Sequence, residues 1–352
     1  MSVPLPTIVD AAFVTGALRR CGVMYESGRV ADVVVEKSFQ TLLSQFLRLR
    51  LTYEGTQAEA PGSVMLKTDL PGRPGGAWES GRREVAFYNE VAPSSPTGLL
   101  PRCFDARWEE GSGWHLLLED LTDTHFVATQ WPLPPSMAQC ERIVRVRARF
   151  QAAWWDDARL GSTVGKWDET AGTETALAGL VANYERFADV LGERLSADRR
   201  DLYARLFAAA PRLAERYLSR RHMTIVQGDA HVWNCLLSRN EAPDDSRLFD
   251  WDAWRPDTGT DDLAYMMALH WYPDLRSRTE THLLDLHHAE LVANGVTGYD
   301  RRSLQDDYRL SVLWQSTTPI WHHAARIPPV IWWNNLERIH LAIEDLGCRD
   351  LL

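Results

Sequence analysis

The sequence predicts an α+β protein of two lobes, an N-terminal antiparallel sheet with one key helix and a C-terminal lobe that is mainly helical. Segments with β-branched or alternating apolar residues fill the first 120 positions and are interrupted by a single strong helical pattern. From about residue 125 onward, most apolar repeats have helical spacing. The Pro-rich stretch from Trp131 to Pro135 marks the seam. These observations place one lobe at 1–120 and the other at 121–352.

In chain order, Pro6 to Gly22 reads as a helix whose apolar face holds Ile8, Val9, Ala12, Phe13, Ala17 and Leu18, with a glycine to end it. Val30 to Glu36 is β-branched. Gln45 to Tyr53 sets Phe46, Leu47, Leu49 and Leu51 against Arg48 and Arg50, and Ser63 to Lys67 is short and apolar, so the three form a meander. Pro71 to Gly76 is a turn-rich break before a helix over Glu79 to Val91. Strands at Arg102 to Trp108 and Trp114 to Glu119 flank a hairpin turn at Glu109 to Gly113. The second lobe should carry helices at Ser136–Trp155, Glu174–Leu191, Ala197–Tyr217, Asp261–His270, Glu280–Asn294, Ser303–Trp314 and Pro329–Leu346. Two β-type segments, Met223–Val226 and Arg247–Phe249, lie among them.

Composition narrows the function classes. With 45% apolar and 24% charged residues in 352, the chain can bury a sizeable core and is not disordered. A net charge of −10 weighs against nucleic acid or an anionic membrane surface as partner. No run approaches the ~20 apolar residues of a membrane helix, and the first thirty residues show no signal-peptide pattern. The five cysteines are scattered, odd in number and never spaced C-x-x-C, which fits neither a disulfide framework nor a zinc knuckle; a reducing cytoplasm is expected. The 15 tryptophans read chiefly as packing of the helical lobe.

The chemistry concentrates in Val226-Gln227-Gly228-Asp229-Ala230-His231-Val232-Trp233-Asn234 and in Leu248-Phe249-Asp250-Trp251-Asp252. Each puts an acid just after a short apolar strand, and Gly228 permits a tight turn. Two carboxylates and a carboxamide make an oxygen-rich set of the kind that suits Mg²⁺, and Mg²⁺ points to phosphates.

These residues resemble the aminoglycoside phosphotransferase and choline kinase-like superfamily, which shares the protein-kinase-like fold. The family pattern H-G-D-x-H-x-x-N and its hydrophobic-D-W/F-E/D segment are similar to Gln227–Asn234 and Phe249–Asp252. Lys67 on a strand, Glu84 within Arg83-Glu84-Val85-Ala86-Phe87-Tyr88 and the segment Thr260–Tyr265 extend the likeness over most of the chain. The Glu-x-x-Phe-Tyr segment is nearest to the ecdysteroid-kinase-like branch.

The resemblance implies a kinase that uses ATP and Mg²⁺ to phosphorylate a hydroxyl of a small molecule such as an amino sugar, an aminoglycoside, a choline-like compound or another ring-bearing alcohol. It implies that the first lobe binds the nucleotide. Asp229 would be the base; Asn234 and Asp250 would hold Mg²⁺; Lys67, paired with Glu84, would contact the α and β phosphates. The backbone at Glu119 to Leu121 would face adenine. Gln227 departs from the family's His. The nucleotide-covering turn should fall within Glu36–Ser44, which has no glycine, so the hydroxyls of Ser38, Thr41 and Ser44 are the candidates to replace backbone contacts with phosphate.

Two other classes remain open: a catalytically silent kinase-like binding protein, suggested by the glycine-free turn, and a metal-dependent phosphoester hydrolase built on Asp229, His231, Asp250 and Asp252. His231 is expected to brace the loop through a backbone hydrogen bond. Asp262 should fix the loop or cap the next helix. His287, His288, His322 and His323 read as core or surface residues. The acids Asp250, Asp252, Asp257, Asp261 and Asp262, with Trp233, Trp251, Trp254 and Trp271, suggest a cationic or ring-bearing acceptor.

Overall fold

The computed structural model describes residues 9–55, 60–70, 78–167, 174–240 and 245–352. The expected break at Pro71 to Gly76, and the start of the first helix at Pro6, lie outside them. The chain forms two compact units, Met1–Phe126 with Ser238–Ala253, and Val127–Leu237 with Trp254–Leu352. The segment around Asp250, read from the sequence within the second lobe, thus clusters with the first unit.

In the first unit, α1 (Ala11–Arg20) begins where the Asp10 carboxylate accepts the Phe13 N–H at 2.7 Å, satisfying one of the donors a helix start leaves unpaired. It packs Val14, Ala17 and Leu18 into a core with Leu47, Leu49, Val64, Leu66 and Leu117 of the sheet. The strands β1 (Arg29–Gln40), β2 (Ser44–Glu54), β3 (Ser63–Asp69), β4 (Cys103–Glu109) and β5 (Gly113–Glu119) pair antiparallel in the order β1-β2-β3-β5-β4. On β3, Val64 and Leu66 enter that core, so strand alternation turns Lys67 to the other face. The helix α2 (Trp78–Glu90) packs on β4 and β5. Gly81 is required there: a Cβ at this position would stand 2.2 Å from the Trp114 indole Nε1. One turn further along the same helix, Glu84 is buried.

β6 (His125–Val127) precedes the helices α3 (Met137–Ala153), α4 (Glu174–Leu191) and α5 (Ala197–Leu218) of the second unit. The Ser136 and Gln139 side chains form a capping box at the start of α3. β7 (Thr224–Val226) leads into the loop around Asp229; β8 (Cys235–Ser238) and, in the first unit, β9 (Ser246–Leu248) follow. β10 (Arg255–Asp257) pairs antiparallel with β7. The helical run expected at Asp261–His270 is a short α6 (Thr260–Leu263) that passes into a π-helix, Ala264–Ala268. α7 (Pro273–Ala293) starts seven residues before the expected Glu280, because Pro273 occupies the first turn, where its missing N–H costs nothing. α8 (Arg301–Gln315), α9 (Thr318–Ala324) and α10 (Pro329–Asp345) complete the unit. The sequence did not announce α9, whose seven residues are too few for a periodic face, nor the short strands β6, β8 and β10. Among the described residues, no helix is long and apolar enough to cross a membrane.

Candidate active site

The first unit contributes a buried ion triangle. The Lys67 Nζ donates to Glu84 Oε2 and to Asp250 Oδ1, each at 2.6 Å. The lysine and glutamate side chains are 3% and 2% exposed, while Asp250 keeps 30%. The Phe46 and Trp114 rings approach the ammonium at 5.5 and 5.9 Å. Burial opposes the charge on Lys67, but Asp250 and then Glu84 outweigh it and hold the group firmly protonated. Burial pushes the Glu84 carboxyl up, against the pull of Lys67.

Asp250 sits at φ +66°, a left-handed conformation that Asp tolerates better than most residues. It is fixed through the residue that follows it. Trp251 N–H donates to Glu84 Oε1 at 3.4 Å, and the Trp251 indole stacks on Phe87 with centroids 4.0 Å apart. The Glu-x-x-Phe spacing of α2 therefore holds Trp251 twice, its N–H by Glu84 and its ring by Phe87.

The β1–β2 turn closes on itself. Thr41 N–H donates to the Ser44 carbonyl at 2.9 Å, the Thr41 hydroxyl donates to the same carbonyl at 3.2 Å, and Ser44 N–H donates to Thr41 Oγ1 at 3.1 Å. Ser38 Oγ accepts from Gln45 Nε2 at 3.2 Å. At the end of β5, Glu119 N–H donates to the Arg102 carbonyl at 2.7 Å and the Leu121 carbonyl accepts from His125 N–H at 2.8 Å. Asp120 ties this segment down through Arg48 Nε and the Ser63 hydroxyl, both at 2.6 Å.

The second unit holds Asp229. Its loop is braced from below by Asp262, whose carboxylate accepts the Gln227 and Gly228 N–H groups at 3.0 Å and pairs with Arg147 Nη1 at 2.8 Å. Arg147 also donates to the Ala230 carbonyl at 3.1 Å. Gly228, at φ +81°, takes the turn that a side chain would strain. The Gln227 amide, standing in the family's histidine position, donates within the loop to the Asn234 carbonyl at 3.4 Å. Asp262 thus fixes the loop rather than capping α6, whose N-cap is Gly259.

Asp229 itself is held on both oxygens. The Tyr265 hydroxyl donates to Oδ1 at 2.6 Å, and Asn234 Nδ2 donates to Oδ2 at 3.2 Å and to the Asp229 backbone carbonyl at 2.9 Å. The expected backbone bracing by His231 does not occur: its Nε2 lies 3.4 Å from Asp229 Oδ2, facing the carboxylate instead. Withdrawal from water would raise the Asp229 pKa, but His231, the Tyr265 hydroxyl, His270 and His322 together bring it below the ordinary carboxylate value. Burial and the neighbouring His231 push His270 down to about 3, leaving a neutral ring whose Nδ1 is bonded to the Tyr265 carbonyl at 2.7 Å. Asp229, with 34% of its side chain exposed, is ionised and reachable.

Asn234 Nδ2 is committed to Asp229 in the second unit, and in the first unit the Asp250 carboxylate is 30% exposed. Oxygen donors of this kind fit a hard divalent cation bound with few protein ligands. Among the described residues, no group of three or more His, Cys, Asp or Glu side chains is arranged to hold a metal.

The acids expected to attract a cation are largely committed. Arg255 pairs with Asp257 at 3.0 Å and with Asp261 at 2.7 Å, and Arg147 takes Asp262. Trp251, Trp254 and Trp271 are buried core residues; Trp233 is half-buried. His287, His288 and His323 are structural as expected: His287 bonds Gln151 at 2.7 Å, His288 the Tyr299 carbonyl at 2.9 Å, and His323 lies edge-on to Phe187 and Trp332. His322, by contrast, lies in the field of Asp229.

Tyr265 is the residue the sequence reading missed. Its signal is a tyrosine three positions after Asp262, aimed by the π-helix. Tyr265→Phe removes a donor that favours the ionised carboxylate, so the Asp229 pKa rises, a shift that a carboxyl NMR titration reads. An Asp229 titration that stays in place when the two proteins are compared excludes Tyr265 as a positioning residue.

A family model matches residues 39–295, and it is that of the ecdysteroid kinase-like family. None of the curated proteins matches the chain. Among solved structures, it is similar to a candidate aminoglycoside phosphotransferase of Ralstonia eutropha JMP134, with a TM-score of 0.59 at 13% identity over 96% of this chain and 97% of the other. It is also similar to aminoglycoside 2'-phosphotransferase-IIIa in its GDP complex, with a TM-score of 0.55 at 11% identity over 96% and 98% of the two chains. At such identities the likeness establishes the protein-kinase-like fold. The family match spans well over half of the sequence and includes every residue of the ion triangle and the braced loop: the chain belongs to the ecdysteroid kinase-like family.

Proposed function

We propose that the protein is an ATP- and Mg²⁺-dependent phosphotransferase acting on a hydroxyl of a small molecule, with an amino sugar, an aminoglycoside, a choline-like compound or another ring-bearing alcohol as the acceptor classes its relatives suggest. The observation that carries this reading is the Lys67 ammonium buried between Glu84 and Asp250. Burying a charge is costly unless it is paired, and a simple structural pair needs no third, partly exposed carboxylate. A lysine held charged beside an acid that can turn to a metal suits phosphate binding.

In this reading Lys67 meets the α and β phosphates, and Asp250 and Asn234 hold the metal, which when bound neutralises phosphate charge. Asp229 orients the acceptor hydroxyl and takes its proton as the oxygen bonds to the γ-phosphorus and the bond to the ADP oxygen breaks. Little covalent chemistry is asked of the protein, so positioning and charge carry the rate. Ser38 near the end of β1, Thr41 of the β1–β2 turn, Ser44 at the start of β2 and the backbone at Glu119 and Leu121 are the proposed nucleotide contacts.

The test is nucleotide consumption, with ATP and GTP in parallel, against pooled hydroxylated metabolites and antibiotics. Acceptor-dependent ADP or GDP release supports the reading, and phosphate release from esters without nucleotide would instead support a hydrolase. A second reading, nucleotide binding without turnover, is favoured by the β1–β2 turn, where Thr41 and Ser44 bond each other and no glycine lets the backbone approach phosphate. It predicts saturable nucleotide binding with no acceptor-dependent release.

The metal assignment has its own check. Asp250→Ala should move half-maximal Mg²⁺ upward by at least ~10-fold, the loss of one charged ligand. Superimposable Mg²⁺ titrations of the parent and the variant remove Asp250 from the metal site.

A further inference from the structure

The surroundings of Asp229 in the second unit hold few uncommitted acids and many nitrogens. His231 and His270 have ring centroids 5.9 Å apart, and both, with His322, lie in the field of the Asp229 carboxylate. Arg338 on α10 adds a full positive charge. Its guanidinium stacks over Tyr272 at 4.6 Å, and the Tyr272 hydroxyl reaches Asn334 Oδ1 at 3.4 Å. Tyr272 stands two residues after His270, whose ring lies 5.9 Å from that of His231, and His231 Nε2 is 3.4 Å from Asp229 Oδ2; His270 feels both Asp229 and Arg338.

Arg338 differs from the other arginines that shape this part of the fold. Arg147 is locked on Asp262, and Arg255 on Asp257 and Asp261. No carboxylate supports Arg338 among the described residues; only Tyr272 favours its charge, while burial opposes it. Among the described residues, Nδ1 of His231, Nδ1 of His322 and Nε of Arg338 are buried without a hydrogen-bond partner. A guanidinium N–H is always a donor and a buried donor is almost always paired, so Arg338 Nε calls for an oxygen that the described residues do not supply, and each imidazole adds a donor when its Nδ1 carries the proton.

We propose that Arg338, supported by His231 and His322, recognises an anionic oxygen group, a carboxylate or a phosphate, on the acceptor. The hydroxyl of that acceptor goes to Asp229. The anionic group belongs at the Arg338 end, since beside Asp229 it would meet a like charge. Arg338 is then the residue that sets acceptor charge, and the preference is the reverse of the cationic one that the acids alone suggested. The acceptor role rests on the phosphotransfer reading; the anion site does not.

The test has a binding arm and a turnover arm. Calorimetry compares benzoate with benzamide, cyclohexanecarboxylate with cyclohexanecarboxamide, and phenyl phosphate with phenol, on the whole protein without nucleotide. The parent should prefer the anion in at least one pair by ~10-fold or more, the effect of one charge-assisted contact. Arg338→Gln should abolish that preference and Arg338→Lys should keep part of it, a rescue that lost packing cannot mimic. The carboxylate and phosphate pairs separate the two anion sources. For turnover, trans-4-hydroxycyclohexanecarboxylate, its primary amide and trans-4-aminocyclohexanol are compared with MgATP, and Arg338→Gln should raise KM for the acid ~10-fold with a much smaller change in kcat. Equal binding or no binding within every pair overturns the proposal, as does an equal loss for anion and amide in Arg338→Gln. An anion preference without nucleotide consumption leaves the site in place and counts against phosphotransfer.

Discussion

Asp229→Asn lowers turnover by roughly 10²- to 10⁴-fold, the usual contribution of a positioned general base, while nucleotide affinity stays close to that of the parent. The substitution keeps the shape of the side chain. Its oxygen can still accept from the Tyr265 hydroxyl, which donates at 2.6 Å, but the amide has no basic site for the acceptor proton. The loop should keep its form, because its bracing comes from Asp262 and Arg147 through the Gln227, Gly228 and Ala230 backbone. Single-turnover rates with saturating acceptor, set beside equilibrium nucleotide binding, check both halves. Turnover near that of the parent would exclude Asp229 as the base; equal losses in rate and nucleotide affinity would mean that the residue acts on the nucleotide.

Much of this site was legible in the sequence because its members are separated by fixed local spacings. Gln227 to Asn234 forms one loop, and strand alternation alone sends Lys67 away from the core that takes Leu66. The antiparallel sheet and the long helices were legible for a similar reason: their apolar periods run for many residues. What stayed hidden depends on partners brought from afar. Arg147 looks like any arginine of a basic helix until α3 sets it, fully buried, under the Asp229 loop. Tyr265 was obscured by the π-helix, which departs from the spacing that an α-helical reading assumes. Asp257 and Asp261 looked like a free acidic cluster because nothing local reveals that Arg255 neutralises both. Counting acids along the chain gives composition, whereas the charge offered to a ligand depends on which acids already have partners.

Lys67→Met should be the most damaging single change in the first unit, and its effect divides into stability and chemistry. Removing the ammonium leaves Glu84, 2% exposed, without a counter-charge, and breaking a buried pair from one side costs about 3–5 kcal/mol. The loss depends on pH in a definite direction. Burial already holds the Glu84 carboxyl above its ordinary value of 4.5, and without Lys67 it rises further. A raised folded pKa means that folding favours the protonated form. The variant therefore keeps its stability below about pH 4.5 and loses it as pH climbs through the raised Glu84 value, a slope that the parent, with Lys67 in place, shows less. The double variant Lys67→Met, Glu84→Gln removes the stranded charge and should regain most of the stability, since an uncharged pair of similar volume often replaces a buried ion pair at little cost. Nucleotide use should not return with it, because neither side chain then offers a charge to phosphate. Denaturant unfolding across pH, together with MgATP binding on the single and double variants, separates the two roles. A double variant that recovers stability and also binds MgATP like the parent would make the Lys67–Glu84 pair a structural element only and leave the phosphates to other residues.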